Sequence, residues 1–227
     1  MKIINLWIIC ISLILLNSNC KKEDEAPLPI DGIDFGTHNF GSMTDEEGNT
    51  YRTIQIGSAI WMAENLKVTK LNDGTPIKKV EAGVQWINTT DPAIYDASEE
   101  FIKIYGRHYN GPASIKACPN GWHLPSVTEW SSLVSAVGGM TVAGGKIKEK
   151  GIRHWVTPNE GAENSFGFTG LPAGSIHIGL LRDRGSDGYW WVNDQATFYY
   201  ASASLAQMRT KSTATFDNGM SIRCVKD

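Results

Sequence analysis

The chain has 227 residues, of which 41% are hydrophobic and 20% charged, with a formal net charge of −3, four cysteines and eight tryptophans. This composition is too apolar and aromatic for a disordered chain, and it lacks the basic excess of a protein that neutralises a nucleic-acid backbone, so no nucleic-acid partner is expected. The length predicts one domain of ordinary to large size, and four cysteines are too few for a disulfide-dense miniature fold.

The N-terminus has the pattern of an export signal. Met1 and Lys2 supply positive charge, and the apolar run that follows, 3–16, is shorter than the roughly 20 residues needed to cross a bilayer. With the sequence NSNC next, this segment resembles a bacterial lipoprotein signal, in which the residue after the cleavage point is a lipidated cysteine. We predict a signal peptide over 1–19 and a lipid on Cys20, which would anchor the chain to a membrane. The alternative is a plain secretory signal in which this cysteine is incidental.

Residues 20–34 are predicted to form a flexible, acidic tether. After the cysteine they carry two positive and five negative charges and almost no bulky apolar side chains, too few to offset the entropy of ordering. The acidic run resembles the export tag of surface-exposed lipoproteins in Bacteroidetes-type bacteria, which implies an outer-membrane lipoprotein exposed at the cell surface. Of the 21 basic and 24 acidic residues of the chain, three and five lie in signal and tether, which leaves 18 and 19 in residues 35–227. This part is close to neutral, and its net charge predicts no electrostatic partner.

The pattern from residue 35 onward predicts short strands and tight turns. A strand at 39–44, a turn over 45–49 and the alternating stretch 50–56 predict a β-hairpin. The stretch 78–103 has no clear period and is interpreted as surface connections, whereas 105–110 is predicted to be a strand.

One helix is well marked. Ser126 lies three residues before Glu129, which is the spacing of a capping box, and Pro125 prevents a helix from entering from upstream. An apolar face follows at i, i+3, i+4 and i+7, and a Gly-Gly pair at 138–139 ends the helix. A second, shorter helix is predicted at 145–150, and the remainder is predicted to be strand and long loop. The apolar face consists of Trp130, Leu133, Val134 and Val137.

Five sequence blocks carry a family resemblance. They occur in family order and resemble the Fibrobacter succinogenes major paralogous domain, which is itself similar to C-type lectin-like domains. This implies an α+β fold over residues 35–227, with small antiparallel sheets, one or two short helices, and long loops held by the chain ends. Members are typically secreted or cell-surface proteins without an assigned molecular activity, so the resemblance leaves the ligand open. The blocks are 45–51 (DEEGNTY), 55–67 (within it QIG and WMAENLK), 118–126 (CPNGWHLPS), 167–174 (GFTGLPAG) and 221–227 (SIRCVKD).

The cysteines predict one disulfide. Cys10 lies in the signal and Cys20 at the anchor, so Cys118 and Cys224 are the two that remain in an exported domain and should pair. The alternative, a catalytic thiol, is disfavoured because neither cysteine has an acid–base partner nearby in sequence. His123 is likewise interpreted as a buried structural histidine.

Two short segments resemble the calcium ligands of sugar-binding lectins loosely. Such lectins use a Glu-Pro-Asn-type triplet and a Trp-Asn-Asp-type strand, because calcium takes several oxygen ligands. This chain has Asn159 and Glu160 after Thr-Pro, and Asn193 and Asp194 after Trp-Trp-Val, so these four residues are weak metal candidates. The alternative, that they are ordinary turn formers, is favoured, and no cofactor is predicted.

Trp190 and Trp191 are the main ligand-binding candidates, together with Asn193 and Asp194. Neighbouring residues on a strand face opposite sides, so one tryptophan can be exposed for stacking on a sugar or anchoring a protein; burial of both is the alternative. No nucleophile–base pair has a motif context, so an enzyme is not expected. We therefore predict a non-catalytic binding module with a glycan or protein ligand; the alternatives are a calcium-dependent lectin or adhesin and a purely structural surface protein.

Overall fold

The computed structural model describes residues 32–95 and 97–227. The predicted signal peptide, the lipidation at Cys20 and most of the predicted tether lie outside the described residues. Within the described ranges, no helix combines the length and the apolar character needed to cross a membrane.

The described residues form short strands and short helices. The strands are, in chain order, β1 (Gly41–Thr44), β2 (Thr50–Ile56), β3 (Ala59–Met62), β4 (Lys78–Val80), β5 (Ala93–Tyr95), β6 (Trp122–His123), β7 (Ser175–His177), β8 (Leu180–Arg182), β9 (Asp187–Trp191), β10 (Phe198–Ser202), β11 (Met208–Lys211) and β12 (Val225–Lys226). The helices are α1 (Val84–Ile87), α2 (Glu99–Tyr105), α3 (Gly111–Ser114), α4 (Val127–Ala136) and α5 (Met140–Ile147).

The first sheet joins the two ends of the domain. Its strands lie in the order β1-β2-β3-β12-β6, all antiparallel, and β1 and β2 form the predicted hairpin. The C-terminal strand β12 pairs Val225 with Trp61 on one side and with His123 on the other. The predicted disulfide is confirmed: Cys118 and Cys224 are bonded, which ties β12 to the segment before α4.

The second sheet is an antiparallel β9-β10-β11 unit with helices on one of its faces. Trp190 and Tyr199 point towards α4 and α5 and pack in a cluster with Trp130 and Phe168. A parallel pair, β4 with β5, and an antiparallel ribbon, β7 with β8, complete the strands of the described part. Mixed helices and mostly antiparallel sheets place the fold in the α+β class, as predicted; the finer likeness to C-type lectin domains stays a prediction.

Helix α4 is confirmed, whereas α5 begins five residues before its predicted start. The Ser126 side chain accepts a hydrogen bond from the N–H of Glu129, and the Glu129 carboxylate accepts one from the N–H of Ser126. In α5, a side chain on Gly144 or Gly145 would collide with the backbone of neighbouring loops. Each glycine costs a helix about 1 kcal/mol relative to alanine, so close tertiary packing overrides local propensity here.

Two interpretations of the middle of the chain were wrong. The stretch 78–103 is not a set of surface connections, since it holds β4, α1, β5 and most of α2. Residues 105–110 are not a strand, because Tyr105 ends α2 and only Tyr109 makes isolated bridges, to Ile94 and Met220. Burial explains both differences: α2 turns four side chains inward, but with only about two helical turns after a serine cap its sequence signal is short. These buried residues are Phe101, Ile102, Ile104 and Tyr105.

The last residues of the predicted tether contact the domain. The N–H of Asp34 donates to Glu149 at 2.9 Å, and Arg153 donates to the carbonyl of Gly32 at 2.7 Å. Ile33 packs against a small apolar cluster. The contacts of the domain therefore extend three residues beyond its predicted N-terminal boundary.

Candidate functional site

Trp190 and Trp191 are both fully buried, so neither is an exposed platform. They do face opposite sides of β9, as strand geometry requires: the Trp190 indole N–H donates to Asn65, and the Trp191 indole N–H to the carbonyl of Tyr109. Each side of the sheet is covered by its own apolar cluster at this position. Of the two alternatives stated for the pair, the structure therefore shows burial of both.

The residues of the predicted calcium site are not brought together. The N–H of Glu160 donates to the carbonyl of Ala203, just after β10, whereas Asp194 accepts from the N–H and the hydroxyl of Thr197, just before β10. From residue 197 to 203 a strand rises about 20 Å, so the two halves lie at opposite ends of the strand. Within the described ranges, no three His, Cys, Asp or Glu side chains are grouped so that they could hold a metal ion.

Asn159, Asn193 and Asp194 instead organise turns, which is the alternative stated for them. The Asn159 amide donates to two carbonyls of the preceding loop, at 3.0 and 2.5 Å, and the residue has a positive φ of 46°. Exposed Asn193 donates its backbone N–H to the carbonyl of Pro125 at 3.0 Å. Burial alone would raise the pKa of Asp194. Hydrogen bonds from Thr197 outweigh this effect and lower the pKa, as expected for a carboxylate that closes a turn.

A buried ammonium holds the loop that carries Glu160. The Lys148 Nζ donates to the carbonyls of Glu160, Ser202 and Leu205 at 3.0, 2.7 and 3.1 Å. Burial lowers its pKa to about 8, so the side chain is still mostly protonated at neutral pH. The carbonyl oxygens of this loop are thus satisfied by a side chain of the protein itself.

The open half of the β9-β10-β11 sheet forms a cleft of about 270 Å³. Tyr189 lies directly opposite Tyr200 in the strand register, and their rings stack at 5.4 Å with an interplanar angle of 17°. Phe198, on the same face, has its ring 5.9 Å from each of the two tyrosines. Both tyrosines are partly exposed and pack at the edge of the apolar cluster that contains Trp191.

Polar side chains from two loops line the opposite side of the cleft. Asp183 accepts a hydrogen bond from the Tyr189 hydroxyl at 2.8 Å, and Asn218 bonds the ring of His177 at 3.0 Å. Burial first, and then the nearby carboxylates, raise the pKa of Tyr189 well above its ordinary value. Its hydroxyl therefore stays a proton donor, which fixes the Asp183 carboxylate beside the ring.

Two cations lie at the rim of the same cleft. Lys211, at the end of β11, has its Nζ 5.7 Å from the centroid of the Tyr200 ring. Arg182, at the end of β8, also lines the cleft and is exposed. The result is an aromatic floor with hydrogen-bonding and charged groups around it, an arrangement typical of small-ligand sites.

Part of this cleft was visible in the sequence. Tyr189, Tyr199 and Tyr200 are close in sequence to the tryptophan pair, but Tyr199 turns inward and stacks on Trp130 at 5.0 Å. The available sequence signal was strand alternation: successive side chains of β9 and β10 point to opposite faces of the sheet, which separates Tyr200 from Tyr199. The polar residues were missed because they lie on the short strands β7 and β8 and on loops, where no local pattern marks them. They are Ser175, His177, Arg182, Asp183, Thr213 and Asn218.

Comparisons with known proteins identify one family. The family model for the Fibrobacter succinogenes major domain matches residues 54–226, a range that includes the whole cleft. Searches of curated proteins and of solved structures gave no match.

Proposed function

The chain belongs to the Fibrobacter succinogenes major domain family, and from this we propose that it is a non-catalytic glycan-binding module. In this proposal the domain has a C-type lectin-like fold and is held at the outer surface of the cell by a lipid on Cys20. The N-terminal sequence pattern supports the anchor, and the pairing of both chain ends in one sheet supports the fold.

The observation that carries the glycan proposal is the aromatic floor of the cleft. Sugar rings present C–H faces that pack on aromatic rings and hydroxyls that need hydrogen-bond partners at the edge. The stacked rings of Tyr189 and Tyr200 supply the aromatic surface, and Asp183 and Asn218 supply the hydrogen-bond partners.

The size of the cleft favours a sugar over a protein partner. A volume of about 270 Å³ suits one or two sugar units, since pockets for drug-sized ligands begin near 300 Å³. A stable protein interface needs roughly 800 Å² on each partner and commonly an exposed aromatic anchor at its centre. The tryptophans that would serve as anchors, Trp190 and Trp191, are buried.

Two features of the cleft support a binding role without catalysis or calcium. The carboxylate of Asp183 and the ring of His177 are each engaged by a neighbour, and in the described cleft neither bonds a serine, threonine or cysteine that could act as a nucleophile. The predicted calcium ligands lie outside the cleft lining. Glycan binding is accordingly expected to persist in EDTA.

The test is affinity electrophoresis against a panel of soluble neutral and acidic polysaccharides. We expect at least one polysaccharide to retard the chain, and Tyr200→Ala to weaken that binding about tenfold because the stacking face is lost. Tyr200→Phe keeps the ring and should bind within about threefold of the native chain. Ile152→Ala, which truncates an exposed side chain outside the cleft lining, is the control. Absence of retardation by every polysaccharide, or binding that Tyr200→Ala leaves intact, would contradict the proposal.

A further inference from the structure

Resting on the proposed glycan function, we infer that the ligand is an acidic glycan. Its carboxylate or sulfate groups would pair with Arg182 and Lys211 while a sugar ring stacks on Tyr200. The described residues carry this inference through three observations: cations that have no partner, a carboxylate that is already engaged, and a groove that continues past the cleft.

The cations at the cleft have no internal partner. Among the described residues, neither the Arg182 nor the Lys211 side chain makes an ion pair or a hydrogen bond; the Lys211 ammonium lies over the Tyr200 ring. By contrast, Arg52, another exposed cation of the domain, pairs with the carboxylate of Glu64 at 3.7 Å. The two cleft cations are therefore free to bind an anion from outside.

The acidic group of the cleft offsets only part of their charge, because one carboxylate, Asp183, faces two cations. The Asp183 carboxylate accepts the hydroxyl proton of Tyr189, which remains a donor because burial raises its pKa. Asp183 thus fixes the floor of the cleft and orients a ring, while the rim keeps its positive charge. Residues 35–227 are nearly neutral as a whole, with 18 basic and 19 acidic residues, so this charge is a local property of the rim.

The positive surface continues beyond the cleft. A more open depression shares Tyr200 and Lys211 with it and adds Arg209, which lies directly opposite Tyr200 in the strand register. The side chain of Arg209, exposed at the sheet edge, also makes no ion pair or hydrogen bond with a described residue. A polymer with an acidic group on successive sugar units could contact these cations in turn.

The chemistry of the cations fits carboxylates and sulfates. A guanidinium offers two parallel N–H donors to a planar or tetrahedral oxyanion, and an ammonium acts as a strong point charge. Stacking on Tyr200 would hold the ring so that a charged substituent at its edge lies near Lys211, whose Nζ is 5.7 Å from the Tyr200 centroid. A neutral glycan would still stack on Tyr200 but would form no ion pair with Arg182 or Lys211.

The experiment measures the affinity of the full chain without its signal peptide for two matched pairs of polymers at low ionic strength. Polygalacturonate against its methyl ester tests carboxylates, and dextran sulfate against dextran tests sulfates. We expect one acidic polymer to bind about tenfold tighter than its neutral partner, the effect of a hydrogen-bonded ion pair, and added salt to reduce the difference. The pair that shows the difference identifies the charged group.

Matched variants separate recognition by the rim from general charge attraction. Arg182→Gln combined with Lys211→Gln should remove the preference for the acidic polymer, with melting temperature as the check on folding. Lys150→Gln, which removes a positive charge from an exposed side chain outside the cleft lining, should keep the preference.

The outcomes distinguish this inference from the function on which it rests. Equal binding of acidic and neutral polymers, still dependent on Tyr200, would overturn the acidic ligand and leave glycan binding standing. A preference that Lys150→Gln removes as strongly as the double variant would also overturn it. If no polymer binds, the proposed function fails and the acidic ligand fails with it.

Discussion

At the scale of single residues, Arg223 shows how buried polar groups join the sequence blocks that identify the family. Its guanidinium is 1% exposed and donates to four oxygens, while no carboxylate of the described residues contacts it. The acceptors lie in two separate blocks of the chain, and Arg223 itself lies in a third. They are the Asn65 side chain at 2.6 Å and the carbonyls of Met62, Phe168 and Thr169 at 3.2, 2.6 and 2.9 Å. Burial lowers the pKa of Arg223 to about 9, which still leaves the side chain charged at neutral pH.

In the first sequence block, residues 45–51, polar side chains likewise hold segments of the chain together by hydrogen bonds. Asp45 accepts hydrogen bonds from the backbone N–H groups of Glu47 and Asn49 and from the Tyr51 hydroxyl. Glu47 accepts from Thr69, at the far side of the loop. These acidic residues resemble a metal-binding loop by composition, yet every carboxylate is used to close a turn or tie it to a neighbour.

We predict that Arg223→Lys lowers the free energy of unfolding by about 2 to 4 kcal/mol. A lysine has a single ammonium on a narrower stem, so it cannot reach all four acceptors, and each buried acceptor left without a donor costs about 1 to 3 kcal/mol. Urea unfolding followed by tryptophan fluorescence measures the change.

The control is Arg209→Lys, at an exposed arginine without an internal partner, which should stay within about 0.5 kcal/mol of the native chain. An Arg223→Lys variant as stable as this control would show that the buried hydrogen bonds contribute little.

At the scale of elements, the start of α4 is linked to the C-terminal strand through His123. The ring Nε2 lies 2.7 Å from Glu129, the capping-box carboxylate, and Nδ1 lies 2.6 Å from Asp227. The histidine is partly exposed, so the prediction of a buried histidine was wrong, although its partners are structural. Burial opposes protonation, but hydrogen bonds and charge from Asp227 and Glu129 together raise the pKa of His123.

This link predicts a specific pH dependence of stability. Because the pKa of His123 in the folded state is raised above its ordinary value of 6.5, the folded state holds the proton more tightly than the unfolded chain does. Its contribution is therefore fully present below pH 6.5 and is lost as the pH rises through the folded value. The pair is partly exposed, so we expect no more than about 1 kcal/mol.

The measurement compares urea midpoints of the native chain and His123→Gln between pH 6 and pH 9, with an NMR titration of the His123 ring. The native chain should lose its advantage over the variant as the pH rises, and Asp227→Asn should lower the ring pKa. Parallel stability curves, or a ring pKa at or below 6.5 in the native chain, would rule out the link.

The elements that the sequence predicted well have strong local signals. The hairpin of β1 and β2 has alternating residues around a glycine turn, and α4 has a capping box and an apolar face. Helix α2 was missed although Ser98 caps it and two glutamates occupy its first turn, because seven residues are too few for a helical period to stand out.

The candidate site was likewise predictable from the sequence only in part. Strand alternation brings Tyr189 and Tyr200 to one face, and a sequence can indicate this. The sequence cannot show that Trp191, on that same face, is buried in an apolar cluster. Nor can it show that Asp183 and Asn218 line the same cleft as the tyrosines. Those contacts are made by loops, whose paths are set by tertiary packing rather than by local pattern.

At the scale of the whole molecule, the two ends of the domain close around its long loops. Strand β12 lies between β3 and β6, so residues from the start, the middle and the end of the chain share one sheet. The disulfide joins Cys118 and Cys224, 106 residues apart, and the chain between them includes α4, α5 and the whole β9-β10-β11 sheet. The cleft is therefore built from a loop region that is held at its base by β-strand pairing and by a covalent bond.

This arrangement predicts that reduction destabilises the domain strongly. A closed loop of this length removes about 4 to 5 kcal/mol of denatured-state entropy in the chain-entropy model, a large part of the roughly 5 to 15 kcal/mol that stabilises a typical domain. Urea unfolding of residues 20–227, the chain without its predicted signal peptide, should show a loss of that order when reductant is added. The double variant Cys118→Ala/Cys224→Ala should match the reduced chain and should not respond to reductant.

The same experiment tests where the stabilisation acts. If the disulfide restricts the unfolded chain, its removal should also increase the dependence of unfolding on urea, because a longer open chain exposes more surface. Thiol titration of unfolded, non-reduced protein should find neither Cys118 nor Cys224 reactive, and both should react after reduction. An unchanged midpoint on reduction would mean that strand pairing by β12 alone holds the loop region in place. Glycan binding by the double variant would then persist at the same denaturant concentrations as in the native chain.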